Sequence, residues 1–196
     1  MEEYISAFFS LGPVSNTSVS GIEYGNLHDV GGFGLESPVC RKDENILGYP
    51  NSLTRWDADA MRAGFNLFCE LTDDEKFATS AWLLESYGRK GVEAVPVAEN
   101  AVSPEERFLH ILTSPVFWWS GNHERDRERA VSYGQRIQEV VRRNSLVPPH
   151  AYVNYAVGRE QLPEVYGRDE TRLAKLRRLK GIYDPHNRFR FYAPIQ

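Results

Sequence analysis

Apolar side chains recur at helical spacing after Trp56, with Met61, Phe65 and Phe68 on one stripe, Asp57 placed as a cap and Thr72-Asp73-Asp74 closing the segment. The spacing predicts a helix between Asp57 and Thr72. A longer helix is predicted from Asn122 to Asn144, where Ala130, Tyr133, Ile137 and Val140 share a face and Arg and Glu fill the others. Pro148-Pro149 ends any continuation. Phe77 to Tyr87 and Arg107 to Trp119 mix aromatic, β-branched and leucine residues and read as strands, separated by a loop that Val95-Pro96 and Ser103-Pro104 impose.

After the prolines, His150 to Tyr155 reads as a short strand. A final helix follows, with Asp169 as its cap, Leu173, Leu176 and Leu179 as its apolar positions, and Gly181 and Asp184-Pro185 as its stop. Residues 10 to 53 are rich in Ser, Asn, Gly and Pro and predict short strands and turns. Strands and helices interleave without a repeat. The fold class expected is therefore α+β: an antiparallel sheet covered on one face by helices, with a C-terminal strand-helix-tail segment.

Composition narrows the function classes. The chain has 196 residues, 41% of them hydrophobic and 12% aromatic, enough for one sizeable core. No tract of about 18 to 20 apolar residues is long enough to span a bilayer, and the acidic start Met1-Glu2-Glu3 lacks the marks of a signal peptide. Localisation is otherwise unknown. Lys and Arg number 23 against 27 for Asp and Glu, a net charge of -4, which argues against nucleic acid or an acidic membrane as the main partner. Cys40 and Cys69 are too few for a disulfide framework or a multi-cysteine zinc site. The five histidines show no paired spacing, so no metal site is expected.

One set of words is more specific. Tyr152-Val153-Asn154-Tyr155, Tyr166-Gly167, Arg172-Leu173, Leu179-Lys180, Tyr183-Asp184-Pro185-His186-Asn187-Arg188-Phe189 and Pro194-Ile195 stand in an order and spacing of their own. That order resembles the berberine-like C-terminal segment of berberine-bridge-enzyme-like FAD-linked oxidoreductases. Thr113-Ser114-Pro115 before Trp118-Trp119, and the ending Phe191-Tyr192-Ala193-Pro194-Ile195, are similar to the fungal branch. Leu83-Leu84-Glu85-Ser86-Tyr87-Gly88 extends the resemblance upstream.

The resemblance implies a substrate-domain-like α+β region over 1–145 and a berberine-like segment over 146–196, packed as one globular unit. It implies FAD as cofactor and a small organic substrate, oxidised by hydride transfer with oxygen as acceptor, in secondary metabolism. The family's N-terminal FAD-binding domain is absent from these words: Gly31-Gly32-Phe33-Gly34 has no convincing following helix and reads as a loop. Two explanations are open for this, a truncated gene product whose true protein is longer, and a short chain that works without flavin or has a separate flavin-domain chain as its partner. Two alternatives stay open, a cofactor-free domain that binds, cyclises or isomerises a small molecule, and a non-catalytic partner or remnant.

By resemblance, Tyr155 is the candidate catalytic base. A free phenol titrates near 10, so holding it ionised at neutral pH costs roughly 4 kcal/mol unless a cation or donors stabilise it. The plain alternative is a packed strand tyrosine. Tyr152, Asn154 and Asn187 are the candidate cofactor-binding residues, although strand alternation would place Tyr152 and Asn154 on the face opposite Tyr155, and Asn187 also suits a simple turn. Trp82, Trp118, Trp119 and Glu85 are the candidate substrate-binding residues, with the core as the competing place for each tryptophan. Arg172, Lys175, Arg177, Arg178 and Lys180 read as a solvated helix face, with flavin phosphate as the minor alternative.

Overall fold

The computed structural model describes Ser6, residues 43–97 and residues 102–195. The chain divides into two compact units, Met1–Lys42 and Asp43–Gln196, and all the elements below belong to the second. Cys40 and Gly31-Gly32-Phe33-Gly34 lie outside the described residues.

Four strands form one antiparallel sheet: β1 (Glu44–Gly48), β2 (Asn51–Leu53), β3 (Ala81–Ser86) and β4 (Ile111–Ser120). Strand β4 is central and buried from Ile111 to Trp119. β3 runs along one side of it, with Glu85 opposite Leu112, and β1 and β2 follow each other along the other side, Gly48 opposite Val116 and Asn51 opposite Thr113. The gap between β1 and β2 falls at Tyr49-Pro50. Tyr49 donates its N–H to the Pro115 carbonyl at 3.0 Å, but Pro115 has no N–H to return. The side-chain amide of Asn51 donates to the Tyr49 carbonyl instead, at 3.4 Å.

Helices α1 (Ala58–Thr72) and α4 (Glu124–Arg142) pack on each other and cover one face of this sheet. Asp57 caps α1 by accepting from the Ala60 N–H at 2.9 Å. Ala60, Gly64, Phe68 and Leu71 are buried on α1, and Ala130, Gly134, Ile137 and Val141 on α4, the three- and four-residue spacing of a single face. Phe77, Phe117 and Trp119 fill the space between helices and sheet. Phe77 lies in a turn before β3 rather than in the strand. Smaller helices α2 (Lys90–Glu93) and α3 (Pro104–Phe108) lie between β3 and β4, the second capped by Ser103, so that β4 begins only at Ile111.

The expected strand over His150 to Tyr155 is corrected. The segment is irregular and closes in a 3-10 turn at Val153–Tyr155, where the Tyr155 N–H reaches the Tyr152 carbonyl at 2.8 Å. No strand of the sheet pairs with it, so local turn bonds satisfy its backbone. Helices α5 (Leu162–Tyr166) and α6 (Glu170–Tyr183) follow, α6 capped by Asp169 and running through Gly181 to end at Asp184. Among the described residues no helix is long and apolar enough to cross a membrane.

Candidate functional site

Strand alternation sends Trp82 toward the helices and Glu85 to the other face of the sheet. There the Glu85 carboxylate takes two phenols at once: Tyr155 donates to Oε1 and Tyr87 donates to Oε2. Tyr87 follows the end of β3, its N–H tied to the His110 carbonyl at 3.0 Å. Tyr155 comes from the 3-10 turn, 70 positions along the chain from Glu85.

The turn brings Tyr152 to the same side as Tyr155, because residues three apart eclipse in 3-10 geometry. Their rings meet edge to face, 5.6 Å between centres and 76° between planes. Asn154 donates from Nδ2 to the Tyr152 hydroxyl at 2.8 Å. Several bonds fix the turn in place. Ala151 N–H donates to the Glu164 carbonyl at 2.9 Å, and His150 Nε2 meets Glu106 Oε1 at 2.6 Å. The Tyr192 hydroxyl of the C-terminal tail lies 2.5 Å from the Val153 carbonyl and 2.9 Å from that of Ala156.

The electrostatics follow from this packing. Burial, then the bond to Glu85, holds the Tyr155 phenol well above its ordinary range, and the bond to Glu85 pushes Tyr87 up to about 12. Both phenols keep their protons at neutral pH. A phenolate at Tyr155 is therefore not the resting state. The proton-accepting capacity sits on Glu85, and Tyr155 can take a proton at Oη only as its own passes to the carboxylate.

The other candidate residues fall elsewhere. Trp82 and Trp119 lie on the helix side: Trp82 packs against Phe68 at 5.8 Å and donates from Nε1 to Thr113 Oγ1 at 2.5 Å, while Trp119 lies 5.9 Å from Phe77. Of the candidate substrate-binding residues, these two therefore stand on the face opposite Glu85. Trp118 is on the Glu85 face but buried, at 3% exposure, and six positions along β4 from Leu112, roughly 20 Å at strand rise. Asn187 adopts a left-handed φ of 49° in the turn after α6, its N–H donating to the Asp184 carbonyl at 3.0 Å. Tyr87 was not singled out by the sequence, yet it lies two positions beyond Glu85, the spacing that keeps strand neighbours on one face.

The structure thus joins one carboxylate to two phenols on the sheet face opposite the paired helices, and comparison with known proteins gives the kin of the chain. The chain is 32% identical over 197 residues to FAD-linked oxidoreductase anuG of Penicillium roqueforti, covering 99% of this chain and 38% of that protein. It is 29% identical to FAD-linked oxidoreductase chry5 of Gibberella zeae, covering 98% and 38%. It is 34% identical over 170 residues to FAD-linked oxidoreductase iacH of Pestalotiopsis fici, covering 83% and 32%. The chain is a homologue of the FAD-linked oxidoreductases and spans 38% of the length of the first two of these relatives. No family model and no solved structure matches it.

Proposed function

We propose that this chain forms the substrate-facing part of a berberine-bridge-enzyme-like FAD-linked oxidoreductase, acting on a small organic substrate in secondary metabolism. Supporting the reading is the Tyr155–Glu85 pair, both half-buried, in a chain whose relatives are named FAD-linked oxidoreductases across nearly its whole length. FAD, when bound, would accept the hydride that leaves the substrate carbon. Tyr155 takes the accompanying hydroxyl proton while its own proton moves to Glu85, so no free phenolate forms. In this reading Tyr152 and Asn154 would hold the flavin ring, and the Asn187 turn would meet the flavin-bearing portion.

In this reading the described residues would face only the ring of such a cofactor. Among them no glycine-rich turn opens a helix in the way that cradles a pyrophosphate. The flavin phosphates therefore belong on chain beyond these residues or on a separate flavin-domain partner.

The test is to purify the chain alone and with a flavin-bearing portion of a relative, and to read bound flavin by its visible absorbance. Flavin retained with the partner, and a turnover that Tyr155→Phe lowers by about 10²- to 10⁴-fold, is the expected outcome. A folded, monodisperse protein that takes flavin in neither preparation would overturn this reading in favour of a cofactor-free binding domain.

A further inference from the structure

Strand β3 ends the sheet on its side of β4, and among the described residues no strand lies along its far edge. The register shows which groups line that edge. Tyr87 donates its N–H to the His110 carbonyl, so Leu83 and Glu85, two and four positions back, also turn their backbone groups toward β4, opposite Ser114 and Leu112. The N–H and C=O groups of Trp82, Leu84 and Ser86 therefore point outward. On the helix side the same edge borders a groove of about 500 Å³, walled by Met61, Phe65, Phe68, Trp82 and Leu84. We propose that this edge and groove receive an extended, apolar segment from the part of the FAD-linked oxidoreductases that this chain does not span, added to the sheet as a further strand next to β3.

Two features of the edge carry the inference. It has none of the devices that keep free edges from pairing: Ala81–Ser86 holds no proline and no lysine, and its register against β4 runs without a bulge. Its one charge, Glu85, is turned to the opposite face and bonded to Tyr155 and Tyr87. The side chains beside the edge are apolar yet stand in water, Leu84 at 58% exposure and Phe65 at 44%. A strand laid along β3 satisfies the outward backbone groups and buries both side chains in one step.

The occupant follows from the comparisons. The matches to anuG and chry5 cover 99% and 98% of this chain, while more than half of each relative lies outside the match. In each relative that remainder is tethered to the shared region, which gives it a high effective concentration at this edge. Its docking segment is extended, because it must meet the outward N–H and C=O groups of a strand. It is apolar at every second position, because the side chains of Trp82 and Leu84 stand on the groove side. Arg62, over the Phe65 ring at 5.8 Å, is the only charged side chain in the lining, which disfavours basic side chains in the segment. The proposal takes its occupant from kinship and does not depend on hydride transfer at Tyr155.

Amide hydrogen exchange, read residue by residue, tests this on the whole chain and on full-length anuG. In dilute chain the N–H groups of Trp82, Leu84 and Ser86 should exchange at least about tenfold faster than those of Leu83 and Glu85. In anuG the amides that match Trp82, Leu84 and Ser86 should be as slow as their neighbours. Exchange is read without turnover or flavin content, so failure of the oxidoreductase reading would leave this result standing. Leu84→Lys should leave the thermal midpoint of this chain unchanged, since the side chain already stands in water. Three results would each overturn the proposal. One is fast exchange at the matching anuG positions. Another is protection in this chain that grows with concentration, which would make the occupant a second copy. The third is a lowered midpoint in Leu84→Lys, which would mean that the chain covers its own edge.

Discussion

Tyr155 gives its phenol proton to one oxygen of Glu85 while Tyr87 gives its own to the other, so one carboxylate holds two tyrosines in the protonated form. Alkaline titration of tyrosine absorbance tests this. In the native chain Tyr87 should ionise near pH 12 and Tyr155 also well above the ordinary 10.0. Glu85→Gln removes the charge and should lower both, Tyr87 the more clearly, because burial is the larger influence on Tyr155 and survives the substitution.

The same shifts set a stability window. A phenol whose folded pKa lies above its unfolded value contributes stability that is complete below pH 10 and lost as pH rises through the folded value. Denaturant midpoints should therefore fall between about pH 10 and 12 in the native chain. In Tyr87→Phe/Tyr155→Phe the fall should be shallower. An equal fall in both proteins would mean that these phenols do not couple to folding.

Helix α4 carries a glycine where the Tyr49 ring lies flat against it. A Cβ built on Gly134 would stand 2.0 Å from the ring, closer than any side chain can yield without moving. Tyr49 in turn packs on Phe117 at 6.1 Å and receives Arg159 over its ring at 5.5 Å. Gly134→Ala must displace that set, at a cost of about 1–3 kcal/mol, which outweighs the helix propensity that alanine adds. Thermal or denaturant unfolding measures it.

These cases mark what the sequence made legible. The α1 and α4 stripes are readable because Met61, Phe65 and Phe68, and Ala130 and Ile137, repeat with the helix itself, and the Asp57 and Asp169 caps follow from local bonds. Glu85 and Tyr155 were each readable as candidates, the first from its place in a strand and the second from the tyrosine-bearing word around it. That they touch was not readable, since nothing local relates positions 70 apart. The 3-10 turn was hidden for a different reason: Tyr152-Val153-Asn154-Tyr155 has strand-forming side chains, but among the described residues no strand pairs with it. Trp82 and Trp119 show the limit of alternation, which gives two faces and does not say which one the helices cover.

Asp184 holds the C-terminal tail as a local hub. Its carboxylate accepts from Lys180 and from the N–H groups of Arg188 and Phe189, the latter two at 2.7 and 2.9 Å, and these bonds, the Lys180 ammonium first, lower its pKa to about 2. A carboxylate with a lowered folded pKa contributes stability above its unfolded value of 3.8 and loses it as pH falls toward 2. Asp184→Asn should remove that pH dependence and loosen residues 187–192, raising their amide exchange while α1 and α4 stay protected. Unchanged exchange in the tail would mean that Asp184 does not secure it.

The last prediction separates the two faces of the sheet. Trp82→Phe keeps an aromatic ring beside Phe65 and Phe68 but loses the Nε1 bond to Thr113, whose hydroxyl is nearly sealed at 1% exposure. It should lower stability by about 1–3 kcal/mol and leave the Glu85 cluster alone, because strand β3 lies between them. Tyr155→Phe removes a hydroxyl from a half-buried ring on the opposite face. It should cost little stability and should raise Tyr87 further, because two donors on one carboxylate each draw density that the other would otherwise receive. An upward move of Tyr87 in Tyr155→Phe, absent in Trp82→Phe, is the result that ties the two phenols through Glu85.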